Sequence, residues 1–390
     1  MAFASALRAA WNWRYRHVQD PVTGQYPPEQ TIVSNIEYAP YGPTRSLTYG
    51  DGATQTRSHD SSYRLTRLLD DLNGTSLRDV SYGWSLRDNL LSTTDNLDVT
   101  QNEAFQYSAQ QRLSDADGAY GDLDFAYDLN GNRTSRSVTS NGSTQSESYS
   151  YPLSSNRLQS TALGTSSRAL SYDGAGNVTS DNLDGSIYTY SYDAANRMTA
   201  LSINGVAQAE YRYNALGQQV SRYLVAEDKT IHTIHDLDGN RIAEFEYDPI
   251  TRATVLLREY IWLEGEPIAV VENDQIYYLR TDHIGRPRFA TDAAGLTVWQ
   301  ANYLPFGKLH VTTGNNPDLR IPGQWFQAES GLFQNWMRDY DPTQSRYLQA
   351  DPLGLVDGPS LYGYTGQNPM KLTCSPERLC CTNSLRGFIL

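Results

Sequence analysis

A repeat of about 20 residues runs through the middle of this chain and constrains its fold more than any other feature. Segments such as LSYDGAGNVTS and YSYDAANRMTA place Tyr, Asp and Gly or Asn at matching positions. The matching tyrosines, at 107, 127, 151, 172, 192 and 213, are 20, 24, 21, 20 and 21 residues apart. A regular period of this length predicts an array of small units in which each unit contacts its neighbours.

Each unit has the pattern of a β-hairpin. Tyr188, Tyr190 and Tyr192 alternate with polar residues, which is the pattern of a strand with one aromatic face. The Asp-x-x-Gly-Asn that follows is a turn sequence, because Asp caps its own backbone and Gly or Asn accepts a positive φ. One hairpin cannot bury its aromatic face alone, so we predict an all-β chain. Its Tyr-Asp (YD) hairpins stack into one continuous antiparallel sheet with edges only at its ends, and the chain contains little helix.

Charge and hydropathy exclude several kinds of partner. The net charge is −13 and no Lys/Arg-rich run occurs, which disfavours nucleic acid and anionic membranes. No apolar run is long enough to predict a membrane span. The first residues lack the apolar core and cleavage site of a secretory signal, so we expect no signal peptide.

The repeats and three downstream motifs resemble the RHS (YD-repeat) proteins. YLRTDHIGRPRFATDAAGLTVWQANYLPFGK, from Tyr278 to Lys308, is similar to the RHS core signature Asp-His-x-Gly-x-Pro-Arg, with Arg286 where Ser is usual. Further on, YDPTQSRY at 340–347 and DPLGL at 351–355 resemble the segment that closes the RHS repeat-associated core. The resemblance covers roughly residues 100 to 373.

In such proteins the repeats wind as a spiralling sheet into a hollow shell, and the core plugs one end. The resemblance therefore implies degenerate repeats at 1–100, YD repeats at 101–250, the core domain at 251–373 and a short variable or truncated tip at 374–390. It also implies a C-terminal toxin as cargo, a cognate immunity protein and a secretion-system component as partners in intact relatives. Those relatives would be made in the bacterial cytoplasm and then secreted or carried at the cell surface; the location of this chain stays open.

Many RHS proteins release the toxin with an aspartyl autoprotease made of two Asp-Pro-x-Gly-Leu motifs, 18 residues apart. The first motif is present here as Asp351, Pro352, Gly354 and Leu355, but the position expected for the second Asp holds Cys374. An aspartyl dyad needs two carboxyls that share a proton, and a thiol with a pKa near 8.5 cannot serve as one of them. We therefore expect Asp351 to be the remnant of a catalytic pair, without autoproteolysis.

The resulting hypothesis is a non-enzymatic shell or carrier fragment that would encapsulate and deliver a C-terminal toxin, here missing or truncated. One alternative is a cell-surface adhesion or carbohydrate-binding module, for which exposed, coplanar aromatic rings would be evidence. A second alternative is an active autoprotease in which Asp339, Asp341 or Asp357 replaces the missing carboxylate. The tip of 17 residues is too short to bury a core of its own.

The remaining candidate residues have structural interpretations. Trp325, Phe326, Phe333 and Trp336 are expected to form the core of the plug, and His283 to order a turn. The Asp236 turn lacks the further ligands of a calcium loop, and the cysteines lack zinc-site spacing. We therefore expect no metal and no cofactor.

Overall fold

The computed structural model describes residues 13–15, 28–40, 42–314, 317–321, 323–356 and 358–371. Within them the chain forms two antiparallel sheets and two short 3-10 turns, Val99–Gln101 and Thr365–Gln367. The large sheet has 27 strands, and each strand pairs with the next along the chain. Its strands are β1 (Trp13–Tyr15), β2 (Gln30–Tyr38), β3 (Thr44–Tyr49), β4 (Thr54–His59), β5 (Leu65–Leu72), β6 (Thr75–Trp84), β7 (Leu90–Asp95), β8 (Glu103–Tyr107), β9 (Leu113–Gly118), β10 (Gly121–Tyr127), β11 (Arg133–Ser140), β12 (Ser143–Ser150), β13 (Ser160–Leu163), β14 (Ser166–Tyr172), β15 (Val178–Leu183), β16 (Ser186–Tyr192), β17 (Met198–Ile203), β18 (Val206–Tyr213), β19 (Gln219–Leu224), β20 (Lys229–His235), β21 (Arg241–Tyr247), β22 (Thr254–Leu263), β23 (Glu266–Glu272), β24 (Gln275–Thr281), β25 (Pro287–Thr291), β26 (Thr297–Tyr303) and β27 (Leu309–Gly314). The small sheet contains β28 (Gln324–Gln327), β29 (Leu332–Asn335), β30 (Arg338–Asp341) and β31 (Arg346–Tyr347).

The turn of each repeat is built by its aspartate, as the sequence predicted. The Asp193 Oδ1 atom accepts hydrogen bonds from the backbone N–H groups of Ala195 and Arg197, at 2.9 and 3.0 Å. The other oxygen, Oδ2, accepts one from Arg197 Nε at 2.8 Å. Asp173 caps the next turn upstream in the same way, with Asn177 in the place of Arg197. The prediction of tyrosine strands joined by Asp-capped turns is therefore confirmed.

The repeat tyrosine joins neighbouring hairpins. Five of the six lie where the strand pairing shifts by one residue. The hydroxyl of each donates to a backbone carbonyl at or just before the start of the second strand of the preceding hairpin, whereas the Tyr151 hydroxyl accepts from Arg346 Nη1 at 3.3 Å. The pairs are Tyr107 with Leu90, Tyr127 with Leu113, Tyr172 with Leu158, Tyr192 with Val178 and Tyr213 with Met198, at 2.7–2.9 Å. The repeat period of the sequence is thus the period of a ladder of tyrosine–carbonyl hydrogen bonds.

This ladder gives a direct test. Replacing Tyr192 by phenylalanine keeps the half-buried ring but leaves the Val178 carbonyl without its donor, which should cost about 1 kcal/mol of unfolding free energy. Tyr192→Ala should cost about 3 kcal/mol, because packing is lost as well. Tyr223→Phe is the control, since its hydroxyl contacts only the exposed Asp228 side chain. Equal melting temperatures for Tyr192→Phe and Tyr223→Phe would contradict a structural role for the ladder.

The large sheet curls so that its first strands pack against strands near its other end. Val33 and Leu47, on β2 and β3, share a buried cluster with Ile268, Val271 and Tyr278 on β23 and β24. A buried charge network accompanies this cluster. In it the fully buried Arg280 pairs with Asp51 at 2.8 Å and with Asp70 at 3.5 Å, and Arg78 also pairs with Asp70. We call this contact between β2–β6 and β23–β25 the seam.

The C-terminal part of the described chain lies inside the spiral. Leu332 and Leu348 pack among Val178, Tyr190 and Tyr211, which point inward from the repeat strands. Phe306 and Met370 pack against the inner side of β5–β11. The spiral sheet with an internal plug is the predicted architecture. Among the described helical residues none belongs to a helix long and apolar enough to span a membrane. The predicted boundaries at residues 100, 250 and 373 stay predictions.

Candidate functional site

The plug, defined as the described residues between 317 and 371, is the candidate functional site because it carries the motif expected for autoproteolysis. Its small sheet, β28–β31, surrounds Tyr340, which is fully buried and donates a hydrogen bond to the Phe306 carbonyl at 2.8 Å. Phe326 and Phe333 stack edge to face beside it. Trp325 packs edge to face on Tyr260 of the large sheet, β1–β27, which we call the wall. The expectation that these aromatic residues form the plug core is confirmed for all three.

The fourth predicted aromatic residue, Trp336, has a different place. It lies over the repeat turns at one rim of the sheet, where its Nε1 donates to the Leu216 carbonyl at 3.0 Å. A Cβ atom added to Gly239 would lie 2.6 Å from the Trp336 ring, and Gly239 has a φ of +95°. Gly239 is therefore required for two reasons: its backbone is left-handed, and the Trp336 ring of the plug leaves no room for a Cβ atom.

A buried ion triad joins the plug to the wall. Arg168, on β14, pairs with Asp341 of the plug at 2.6 Å and with Asp181 on β15. The three side chains are 8%, 4% and 3% exposed. Burial alone would raise the pKa of Asp341, but the Arg168 charge and the hydrogen bonds it receives lower it. Asp341 is therefore an ionised plug residue bound to a wall arginine.

Asp351, the predicted remnant of the catalytic pair, caps a turn. Its Oδ1 atom accepts a hydrogen bond from the Leu353 N–H at 2.9 Å, and the Gly354 N–H donates to its carbonyl at 2.9 Å. Its Oδ2 atom pairs with Arg338 at 2.8 Å. Pro352 and Gly354, which has a φ of +74°, complete this turn, and Leu355 is 62% exposed. Cys374 lies outside the described residues, as does the rest of the tip.

The structure separates the other candidate carboxylates from Asp351. Arg338 and Tyr340 alternate with Asp339 and Asp341 along β30, so Arg338, the partner of Asp351, points to the opposite face from both aspartates. Asp339 instead exchanges two hydrogen bonds with Gln349, at 2.8 and 2.6 Å, and Asp341 faces Arg168. Asp357 lies outside the described residues. A proton-sharing pair of carboxyls at Asp351 is thus not formed by Asp339 or Asp341.

His283 of the signature motif has a role that the sequence did not indicate. Its own turn is capped by Asp282, while the His283 ring lies against Tyr82 and Trp84. Its Nε2 atom is 2.9 Å from the Met370 carbonyl, 87 residues away. His283 therefore binds the end of the plug to the wall rather than ordering its local turn. Only knowledge of this distant partner could have predicted it.

Among the residues that the structure describes, one group of carboxylates could hold a cation. Asp115, Asp122 and Asp124, on β9 and β10, bring one oxygen each to within 4.8 Å of one another. Asp115 and Asp124 are directly opposite in the strand pairing. Ser137 and Gln106 donate hydrogen bonds to two members of the group, and such acidic clusters also occur without a metal.

The chain matches two family descriptions. The family described as RHS protein matches residues 276–312, which include the Asp282–Arg288 signature. The family described as RHS Repeat matches residues 172–207, which include the turns at Asp173 and Asp193. Both matches fall on segments whose geometry is given above.

Curated relatives include several toxins. Double-stranded DNA deaminase toxin A of Burkholderia cenocepacia is 25% identical over 74% of this chain and 22% of its own length. Toxin protein Tse5 of Pseudomonas aeruginosa is 27% identical over 51% of this chain and 18% of its own length. The probable deoxyribonuclease RhsB of Dickeya dadantii is 24% identical over 90% of this chain and 26% of its own length. The chain thus spans between 18% and 26% of the length of these three relatives.

Solved structures share the fold. A crystal structure of TcdB2-TccC3 matches 94% of this chain and 21% of that chain, with a TM-score of 0.76 and 18% identity. A structure of TcdB2-TccC3 without its hypervariable C-terminal region matches with a TM-score of 0.75 and 17% identity. The repeat ladder, the signature turn and the two family matches lead to one conclusion: this chain contains RHS repeats followed by an RHS signature segment.

Proposed function

We propose that this chain is the wall and plug of a non-enzymatic RHS-type carrier that holds a C-terminal toxin polypeptide. The observation that carries the proposal is the plug itself. It is bound to the inside of the sheet by the Arg168–Asp341 pair, by Trp336 on the repeat turns and by His283 at Met370. A chain that continues past the plug would start from a point fixed to the wall.

The toxin relatives support this role, because their names describe deaminase and nuclease activities, while this chain, which is built of a repeat sheet and its plug, matches only 22% and 26% of their length. Asn368 strengthens the attachment by donating to Asn89 on the wall side, at 2.9 Å. The proposed partners are accordingly a C-terminal cargo, an immunity protein that neutralises it and a secretion-system component.

Orientation of the repeat aromatics favours the carrier over the adhesion alternative. Tyr190 and Tyr211 are buried on the inner side, at 4% and 3% exposure. The ladder tyrosines use their hydroxyls on backbone carbonyls, as described above. These rings are therefore committed to the wall and are not presented as a flat binding surface.

A protection assay tests the proposal. An unstructured, protease-sensitive reporter fused after Leu390 should be digested more slowly than the same reporter fused to an unrelated β-protein, because the last described residues of the plug, around Met370, are held against the inner side of the sheet. Digesting the fusion after denaturation and in an Arg168→Leu background controls for intrinsic sensitivity. Equal digestion rates in the folded fusion and the unrelated fusion would contradict a carrier role.

Cleavage is a separate prediction. The purified chain should keep its full mass, because Asp351 is engaged with Arg338 and its turn, and the position expected for a second Asp holds Cys374. Cys374→Asp alone should recover little, since the Pro, Gly and Leu of the second motif are also replaced. Intact-mass spectrometry measures this. A product ending at Arg378 that disappears in Asp351→Asn would prove that another carboxyl serves.

A further inference from the structure

Two arginines of the repeat turns, Arg64 and Arg197, share a bonding pattern from which Arg286 departs. Arg64 and Arg197 each use Nε on the aspartate that opens their own turn, at 2.7 and 2.8 Å. Their Nη1 atoms then donate to a carbonyl in the next turn, Arg64 to Ser85 at 2.7 Å and Arg197 to Asn214 at 3.2 Å. In this pattern both arms of the guanidinium are satisfied by the repeat.

Arg286 begins the same way and ends differently. Its Nε and Nη2 atoms bind Asp282, both at 2.8 Å. Its side chain is 2% exposed, and its Nη1 atom is buried with no hydrogen-bond partner in the described part of the chain. The guanidinium also lies over the Tyr303 ring, with its Cζ atom 4.7 Å from the ring centroid. A buried charged donor without an acceptor is costly, so Nη1 is available to an acceptor group of a ligand.

Arg286 lines a cavity of about 150 Å³ between β6–β8 on one side and the Asp282 turn, β25 and β26 on the other. His283 lines the same cavity. Its Nε2 contacts the Met370 carbonyl, which can only accept, so Nε2 carries the proton and Nδ1 is an acceptor. Burial lowers the pKa of His283, which keeps the ring neutral, and Nδ1 is buried without a partner among the described residues.

Other charged groups around the cavity already have partners. Arg288 donates to Asn302 at 2.7 Å, and Glu103 accepts from Thr93 at 3.2 Å. Asp282 accepts from Arg286 and from the backbone of its turn. What is left over is one charged donor, Arg286 Nη1, and one neutral acceptor, His283 Nδ1.

We propose that this cavity binds a small tetrahedral oxyanion that carries a hydroxyl group, of which hydrogen phosphate is the simplest. Its charged oxygens accept from the Arg286 guanidinium, and its hydroxyl donates to His283 Nδ1. A volume of 150 Å³ corresponds to roughly five water molecules, and a tetrahedral oxyanion has five non-hydrogen atoms, so the ion fits. Sulfate has the same shape but no proton at neutral pH, and should therefore bind much more weakly.

The test compares phosphate with sulfate at equal ionic strength. Phosphate should raise the melting temperature of the full chain saturably and broaden the phosphorus NMR line, while sulfate should do so at least about tenfold less effectively. Glucose 6-phosphate should also bind weakly, because its sugar does not fit. Equal effects of sulfate, or equal binding of the sugar phosphate, would overturn the assignment to a free hydroxyl-bearing ion.

Matched lysine substitutions locate the site. Arg286→Lys keeps the positive charge beside Asp282 but removes the forked second arm, and should weaken phosphate binding about tenfold or more. Arg197→Lys makes the same change at the equivalent place of another turn and should leave phosphate binding unchanged. Equal loss in both variants, or in neither, would refute the role of Arg286.

A crystal of the wild-type chain soaked in arsenate gives a readout that does not depend on any variant folding. Arsenate resembles phosphate and carries a hydroxyl, and its anomalous signal marks its position. A peak within hydrogen-bond distance of Arg286 Nη1 and His283 Nδ1 is the expected result. Peaks only on the outer surface would overturn the proposal.

Discussion

Replacing Arg168 by leucine should lower the free energy of unfolding by roughly 3–5 kcal/mol, because two carboxylates would be left in a buried site without a cation. Asp181 and Asp341 are 3% and 4% exposed, so water cannot replace the guanidinium. Asp341 belongs to the plug and Asp181 to the wall. The mutation should therefore loosen the plug as well as lower the melting temperature, and hydrogen exchange of residues 338–348 should accelerate.

Two variants control this experiment. Arg197→Leu removes the arginine of a partly exposed pair, with side chains 21% and 26% exposed, and should cost about 1 kcal/mol or less. Adding Asp181→Asn and Asp341→Asn to Arg168→Leu should recover much of the loss, because neutral amides need no cation. If Arg168→Leu and Arg197→Leu were equally stable, the triad would not join the plug to the wall.

Asp339 should make the chain less stable as the pH rises from about 4 to 7. Its carboxyl is fully buried and forms no ion pair in the part of the chain that the structure describes, and burial raises its pKa to about 7. The folded state therefore keeps the proton over a range in which the unfolded state, with the ordinary aspartate pKa, has lost it. By proton linkage this one group removes roughly 4 kcal/mol of stability between pH 4 and pH 7, with little further change above that range.

Asp339→Asn measures this contribution. The asparagine cannot ionise and can still bond Gln349, so the variant should gain stability over the wild type at pH 8 and differ little at pH 4.5. Asp193→Asn provides a control of opposite sign. Burial alone would raise the pKa of Asp193, but the bonds from Arg197 and the turn lower it, so its carboxylate stabilises the fold above pH 4. Parallel pH profiles for wild type and Asp339→Asn would refute the protonated state of Asp339.

Local contacts explain why much of the fold could be predicted from the sequence. The Asp193 cap involves residues two to four positions away, and the tyrosine ladder repeats at a fixed spacing, so both leave a periodic trace. The site could be predicted only in part. The motif around Asp351 indicated a turn and an absent partner, but its pairing with Arg338 depends on how the small sheet folds back.

Distant contacts explain what the sequence did not reveal. His283 meets Met370, Arg168 meets Asp341 and Arg280 meets Asp51 across 87, 173 and 229 residues. Which residues meet depends on how tightly the sheet curls, and no short segment encodes that curvature. The same holds for the unpartnered Arg286 Nη1, because only the three-dimensional arrangement shows that its second arm differs from those of Arg64 and Arg197.

The seam has a consequence for how the length of this array can change. In an open solenoid a unit can be removed and the rest simply moves closer together. Here, deleting one hairpin between the two sides of the seam would move them out of alignment by about 9.5 Å, the width of two strands. Arg280 would then face a different hairpin from the one that carries Asp51. The seam therefore fixes the number of hairpins between its two sides. This wall should tolerate point substitutions in its hairpins better than the loss or gain of a whole hairpin.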